Sequence, residues 1–199
     1  MSDLINVEFN SEKHEYSADG VIYPSVTTII QDCGACKGSN FYTEDSRLKG
    51  LQRHSLISDH LLGKVDFERV DELGYTILGR LQAFYESEVL EVLQVEKPMI
   101  DKDMGYAGTP DFIYRSKDGV VLVDWKNTTH AEWHKVQLAA YANLYGFHEI
   151  QRMGVVYTNT LKWKITPISW DAGEWVNYLD VFKSMLKIYQ FKHGGVRNV

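Results

Sequence analysis

Cysteine is nearly absent: the 199 residues hold two, Cys33 and Cys36, in the run Cys-Gly-Ala-Cys. No second pair exists to complete a zinc site, so the two read as reduced thiols in a loop of an intracellular chain. Long apolar runs are missing too. No segment approaches the length of a membrane span, and Met1-Ser2-Asp3-Leu4-Ile5-Asn6 is not a signal peptide. Together these absences predict a protein of the cytoplasm with no membrane partner. Positive charge is in deficit, with 21 Lys and Arg against 27 Asp and Glu, for a net −6. That excludes a uniformly basic surface but not nucleic acid, since bound metal and a local basic track offset acidic residues. Internal repeats, linkers and low-complexity segments are also lacking. With 44% hydrophobic residues, the chain reads as one domain over 1–199 with a proper core.

What is present centres on residues 108–126. Tyr106–Arg115 and Val120–Lys126 read as the strands of a hairpin with Asp118-Gly119 as the turn dipeptide. Alternation puts Asp124 and Lys126 on one face and Val121, Val123 and Trp125 on the other. A symmetric two-residue loop sets Lys117 opposite Val120 and Asp111 opposite Lys126. Asp111, Asp124 and Lys126 then share a patch, which a slip of one residue would break up. Two neighbouring carboxylates suit a hard divalent cation such as Mg²⁺, or Mn²⁺ in its place. A lysine beside them suits positioning a water or stabilising a phosphoryl oxygen. The alternative is a surface ion pair between Asp111 and Lys126.

Elsewhere the pattern alternates helices and strands. Val7–Tyr16 and Gly20–Tyr23 read as a short hairpin, and Ser25 as the cap of a helix burying Val26, Ile29 and Ile30. Thr43-Glu44-Asp45 opens a helix whose inward stripe is Leu51, His54, Ile57 and Leu61. Asp66–Leu93 is read as helical, striped by Val70, Leu73, Ile77, Leu81 and Phe84. Val92–Val95 begins the first core strand, and Glu96 follows it. A helix over 131–145 ends at Gly146. Two further strands and a last helix follow; Asp171 and Glu174 resemble a capping box, and Trp175, Tyr178, Phe182, Met185 and Tyr189 form the stripe. The tail Val196–Val199 reads as loose. The fold class expected is α/β, a central mixed sheet flanked by helices.

Pro110-Asp111 followed by Asp124-Trp125-Lys126 resembles the signature of the PD-(D/E)XK nuclease superfamily. The wider set resembles its RecB-type branch, which includes phage recombination exonucleases. That set is Gly105-Tyr-Ala-Gly-Thr-Pro-Asp111, then Val123-Asp-Trp-Lys-Asn127, then Gln137-Leu-Ala-Ala-Tyr141, with Gly50 and His54 upstream. The resemblance implies a restriction-endonuclease-like core and a Mg²⁺-dependent DNA exonuclease of recombination or repair. It implies metal ligation by Asp111, Asp124, His54 and the Trp125 carbonyl, with Lys126 catalytic. It places Gln137 and Tyr141 over the site, in contact with the DNA backbone. For Glu96 it leaves two roles, a supporting acid or a second-metal ligand, beside that of an exposed strand residue. The run Phe9…His14-x-Tyr16…Tyr23-Pro-Ser-Val-Thr-Thr resembles phage-type members and suggests a phosphate contact for Ser25, Thr27 or Thr28, against capping for Ser25. The resemblance suggests DNA as the partner, with an annealing protein or helicase beside it. The competing readings are a non-catalytic nucleic-acid or interaction module on the same fold, and an endonuclease.

Overall fold

The computed structural model describes residues 7–11, 13–35, 44–127, 130–168, 173–194 and 197–198. Cys36, Thr43 and Asp171 lie outside them, and with them the expected caps of two helices. In chain order the N-terminal part holds β1 (Glu8–Asn10), β2 (Glu15–Ala18), β3 (Val21–Tyr23), α1 (Val26–Asp32), α2 (Glu44–Leu61) and α3 (Glu72–Glu88). Then come β4 (Glu91–Val95), β5 (Met99–Asp101), β6 (Tyr106–Gly108), β7 (Phe112–Ser116) and β8 (Gly119–Lys126). The chain closes with α4 (Glu132–Tyr145), β9 (Arg152–Tyr157), β10 (Ile165–Pro167), α5 (Glu174–His193) and β11 (Arg197–Asn198).

The main sheet runs β10-β9-β8-β7-β4, with β8 and β9 parallel and the other pairs antiparallel. This is the mixed sheet expected. One face packs Val120 and Leu122 against α1, α4 and α5. The other packs Val121, Val123 and Trp125 against α2 and α3 through Ile57, Ile77, Leu81 and Phe84. Burial of both faces accounts for the nearly unbroken apolar run Val120–Val123. Ser25 caps α1: its Oγ accepts from Thr28 N at 3.0 Å. Ser25→Ala is expected to lower stability by about 1 kcal/mol in urea unfolding.

Several boundaries differ from the sequence reading. Val7–Tyr16 is two strands, β1 and β2, divided by a turn in which His14 takes a left-handed φ of 52°. The stretch 66–93 is not one helix. A 3₁₀ turn at Phe67–Arg69 precedes Asp71, whose carboxylate caps α3 by accepting from Gly74 N. The buried face of α3 holds Gly74 and Leu78 in place of Leu73, which is exposed. On α2, Ile57 is buried but Leu51 is exposed. The N-cap of α5 is Gly173 in the left-handed region, with no side-chain bond. The tail is not loose at Arg197–Asn198, which pairs antiparallel with β3.

The central hairpin carries the most consequential difference. Tyr106–Arg115 is broken at Thr109-Pro110-Asp111 into β6, which pairs with β5, and β7. The turn is Lys117-Asp118, because Ser116 pairs with Gly119. Ser116 Oγ accepts from Asp118 N at 3.2 Å and donates to Gly119 O at 3.1 Å, which holds the turn one residue earlier than expected. Continued one step past Phe112↔Val123, this register sets Asp111 opposite Asp124, not Lys126. The displacement is of two residues, so every side chain keeps its face.

Candidate active site

Proline ends the β7–β8 ladder and so creates the site. Strand residues send N–H and C=O to the same edge, and in this register Trp125 would face Pro110, which has no N–H to give. The Trp125 N–H is taken instead by Asp111 Oδ2 at 2.7 Å. The Trp125 carbonyl points to the same edge with no strand donor opposite it. Asp111 is thereby locked to the end of β8, 8% exposed.

A bulge brings in the third acid. Val92 pairs with Tyr114, but Gln94 pairs with Ile113, so Leu93 is an extra residue in β4. That single insertion changes the phase of the strand, and Glu96 in place of Val95 comes opposite Asp111. Glu96 N donates to Asp111 O at 3.1 Å. Glu96 also has a left-handed φ of 45°, a backbone cost of roughly 1–3 kcal/mol for a side chain other than glycine. Ser58 of α2 donates to Glu96 Oε1 at 2.9 Å and fixes its carboxylate. Glu96, Asp111 and Asp124 thus form a row across three adjacent strands at one end of the sheet.

His54 of α2 closes the row. Its Nδ1 lies 3.6 Å from Asp111 Oδ2, and ligand atoms of His54, Glu96 and Asp111 all fall within 4.8 Å of one another. Asp124, 1% exposed, is adjacent but engaged otherwise: Lys126 Nζ lies 2.5 Å from its Oδ2. Among the described residues no other donor reaches that buried oxygen. Lys126 Nζ also sits 5.6 Å from the centre of the Trp133 ring.

The electrostatics follow from crowding acids out of water. Burial, then the Asp111 charge, pushes the Glu96 carboxyl up to about 8, against the Ser58 bond. Burial also raises Asp124; Lys126 opposes this and Asp111 adds to it. Buried carboxylates gathered in one pocket are the donor chemistry of a cation, which would offset the cost of their charge. His54, Glu96 and Asp111 could therefore hold a metal ion, each offering one ligand atom.

Other expected residues fall as follows. Gln137 and Tyr141 of α4 are both buried, and Gln137 Nε2 donates to Tyr141 Oη at 2.9 Å. The charges of Asp124 and Asp111 add to the burial that raises the Tyr141 phenol, so the pair adjoins the carboxylates. Close packing depends on Gly108, where a Cβ would lie 2.7 Å from Tyr141 Cε1. Ser25 is buried, and its hydroxyl caps α1 and contacts Thr27 Oγ1 at 3.0 Å, the capping role of the two alternatives.

No protein-family model and no curated protein matches the chain. The geometry is therefore the basis for reading the site.

Three residues near the site were given no site role by the sequence reading. His134, 1% exposed, contacts Tyr157 Oη at 3.3 Å through Nδ1. Burial first and the Lys126 charge second lower its pKa to about 4, so it stays neutral beside the lysine. Its position three residues before Gln137 and seven before Tyr141 shares their helical face, and that spacing was a usable signal. Arg53, hydrogen-bonded through Nη1 to Asn127 just after Lys126, left none. Tyr16 joins the site by its Oη, 2.9 Å from Thr109 Oγ1, and that pairing has no local trace in the sequence.

Proposed function

We propose that the protein is a metal-dependent deoxyribonuclease, acting as an exonuclease with little sequence specificity. The observation that carries this reading is the row Glu96, Asp111 and Asp124 with His54 and Lys126 at one sheet end. Asp111, Glu96 and His54 would hold the cation, joined by Asp124 and the Trp125 carbonyl. When bound, Mg²⁺ supplies an acidified water and neutralises charge that builds on the phosphate.

The chain's own residues supply position and charge. The Trp125 N–H holds Asp111, and the Ser58 hydroxyl holds Glu96, so neither acid has to reorganise on substrate arrival. Lys126, now paired with Asp124, is placed to donate to a phosphoryl oxygen and to orient the attacking water. Water adds to phosphorus, the bridging P–O bond breaks, and the leaving oxygen takes up a proton. The Gln137–Tyr141 pair, buried beneath the carboxylates, supports their geometry, and Gln137 Oε1 is buried without a partner among the described residues.

The test compares linear with closed-circular DNA, each with Mg²⁺ and with EDTA. Mg²⁺-dependent loss of linear DNA alone is expected. Absence of any metal-dependent cleavage rejects the reading, and cutting of the circle makes the protein an endonuclease.

A further inference from the structure

We propose that the groove between α3 and β10 is a second nucleic-acid site, holding the phosphodiester backbone of the strand that extends from the carboxylate row. This rests on the nuclease reading and adds the path of the substrate. The groove, about 510 Å³, is lined by Arg80, Glu88, Arg152, Lys162 and Lys164 over Trp163. Glu88 is already matched by Arg152 through an ion pair. Arg80, Lys162 and Lys164 have no carboxylate partner among the described residues. Three unbalanced cations in one groove, on a chain of net charge −6, are a local concentration of positive charge that calls for an anion.

The groove is joined to the site covalently and by packing. The turn 158–164 leaves the sheet at the catalytic end, where Thr158 N donates to Lys126 O at 2.8 Å. Trp163 Nε1 donates back to Thr158 O at 3.3 Å, and its ring packs on Trp125 with centroids 5.6 Å apart. Lys162 and Lys164 therefore stand on a turn pinned to Lys126 itself. From there β10 runs back antiparallel to β9, and Arg80 of α3 lines the same groove. Cations contributed by a turn and by a helix along one groove suit the successive phosphates of a polymer better than a single small anion. Leu161, 84% exposed next to the lysines, offers an apolar surface to a base.

The experiment measures binding of a fluorescently labelled single-stranded oligonucleotide in EDTA, across a salt series, for the intact chain and for Arg80→Gln/Lys162→Gln/Lys164→Gln. The slope of log affinity against log salt is expected to fall by about 0.7 for each contact removed, about 2 in all. The double variant Lys162→Gln/Lys164→Gln, on an exposed turn, is expected to show about two-thirds of that change. Unchanged affinity and slope overturn the proposal. Hydrolysis of a small phosphodiester such as bis(p-nitrophenyl) phosphate with Mn²⁺ is expected to be unaltered in both variants, since that substrate does not reach the groove; a parallel loss there overturns the assignment to strand binding. Failure of the intact chain to cleave either substrate rejects the hydrolytic reading, while the salt slope still judges the groove.

Discussion

Asp124→Ala and Lys126→Ala are each expected to lower Mg²⁺-dependent DNA hydrolysis by ~100-fold or more, the usual loss for a preorganised group that meets transition-state charge. The two variants should differ in what they retain. Asp124→Ala leaves His54, Glu96 and Asp111 in place, the trio whose ligand atoms lie within 4.8 Å of one another, so Mn²⁺ should still bind in a calorimetric titration, more weakly. It also frees Lys126 from its 2.5 Å contact, so DNA binding should survive. Lys126→Ala leaves Asp124 buried with no cation beside it, which strengthens the case for a metal there and should preserve Mn²⁺ heat while turnover is lost. Asp111→Ala should do more harm to the metal than either, because Asp111 stands between Glu96, His54 and Trp125 N. Unchanged turnover in Asp124→Ala or Lys126→Ala would remove the mechanism. Absence of Mn²⁺ heat in the intact chain would favour a non-catalytic module on this fold.

In EDTA, thermal stability is expected to fall as pH rises from about 6.5 to 8, and a divalent cation should reverse the fall. The Glu96 carboxyl is pushed up to about 8 in the folded chain, chiefly by burial and the neighbouring Asp111. In the unfolded chain it ionises near its ordinary value of roughly 4.3. Between those values the folded state holds more protons than the unfolded one, so raising pH favours unfolding. Below that window both states are protonated, and above it both are ionised, so the dependence vanishes. The raised Asp124 carboxyl acts with the same sign. His134 acts oppositely, but only from about 4 to its unfolded value near 6.5, since its folded pKa is lowered. Above about 6.5 the acids alone remain. Over that interval Glu96 contributes at most about 2 kcal/mol, or roughly 4–8 °C in Tm for a chain of this size. Glu96→Gln should flatten the slope, and Mn²⁺ should stabilise more at pH 8 than at pH 6.5, because binding needs ionised ligands. Equal slopes in the two proteins, read by differential scanning fluorimetry, would show that Glu96 does not carry the effect.

Among the described residues no helix is long and apolar enough to cross a membrane, in keeping with the composition. Much of the architecture was legible locally. Gly146 stops α4 and Gly194 stops α5 as expected of C-terminal glycines. Ser25 caps α1, and the alternation of Val121, Val123 and Trp125 with Asp124 and Lys126 divides β8 between its two faces. The stripe of α5 also holds, with Phe182 buried and Trp175, Tyr178, Met185 and Tyr189 packed around the core. These features depend on periodicity and on residues within a few positions of one another, so they survive without knowledge of partners.

The sequence by itself determined that Asp111, Asp124 and Lys126 belong to one face of one hairpin, because the period of a strand is two and even an error of two in register keeps the face. Only the tertiary structure decided which acids stand opposite each other. A bulge at Leu93 and a left-handed Glu96 bring a third carboxylate into the row, and neither follows from composition or alternation. α2 then delivers His54 and Ser58 to the same sheet end from roughly forty to sixty residues away in sequence. Such choices are made by packing across both faces of the sheet, where the burial of Ile57, Phe84 and Trp125 outweighs the local strain and charge crowding that gather the site.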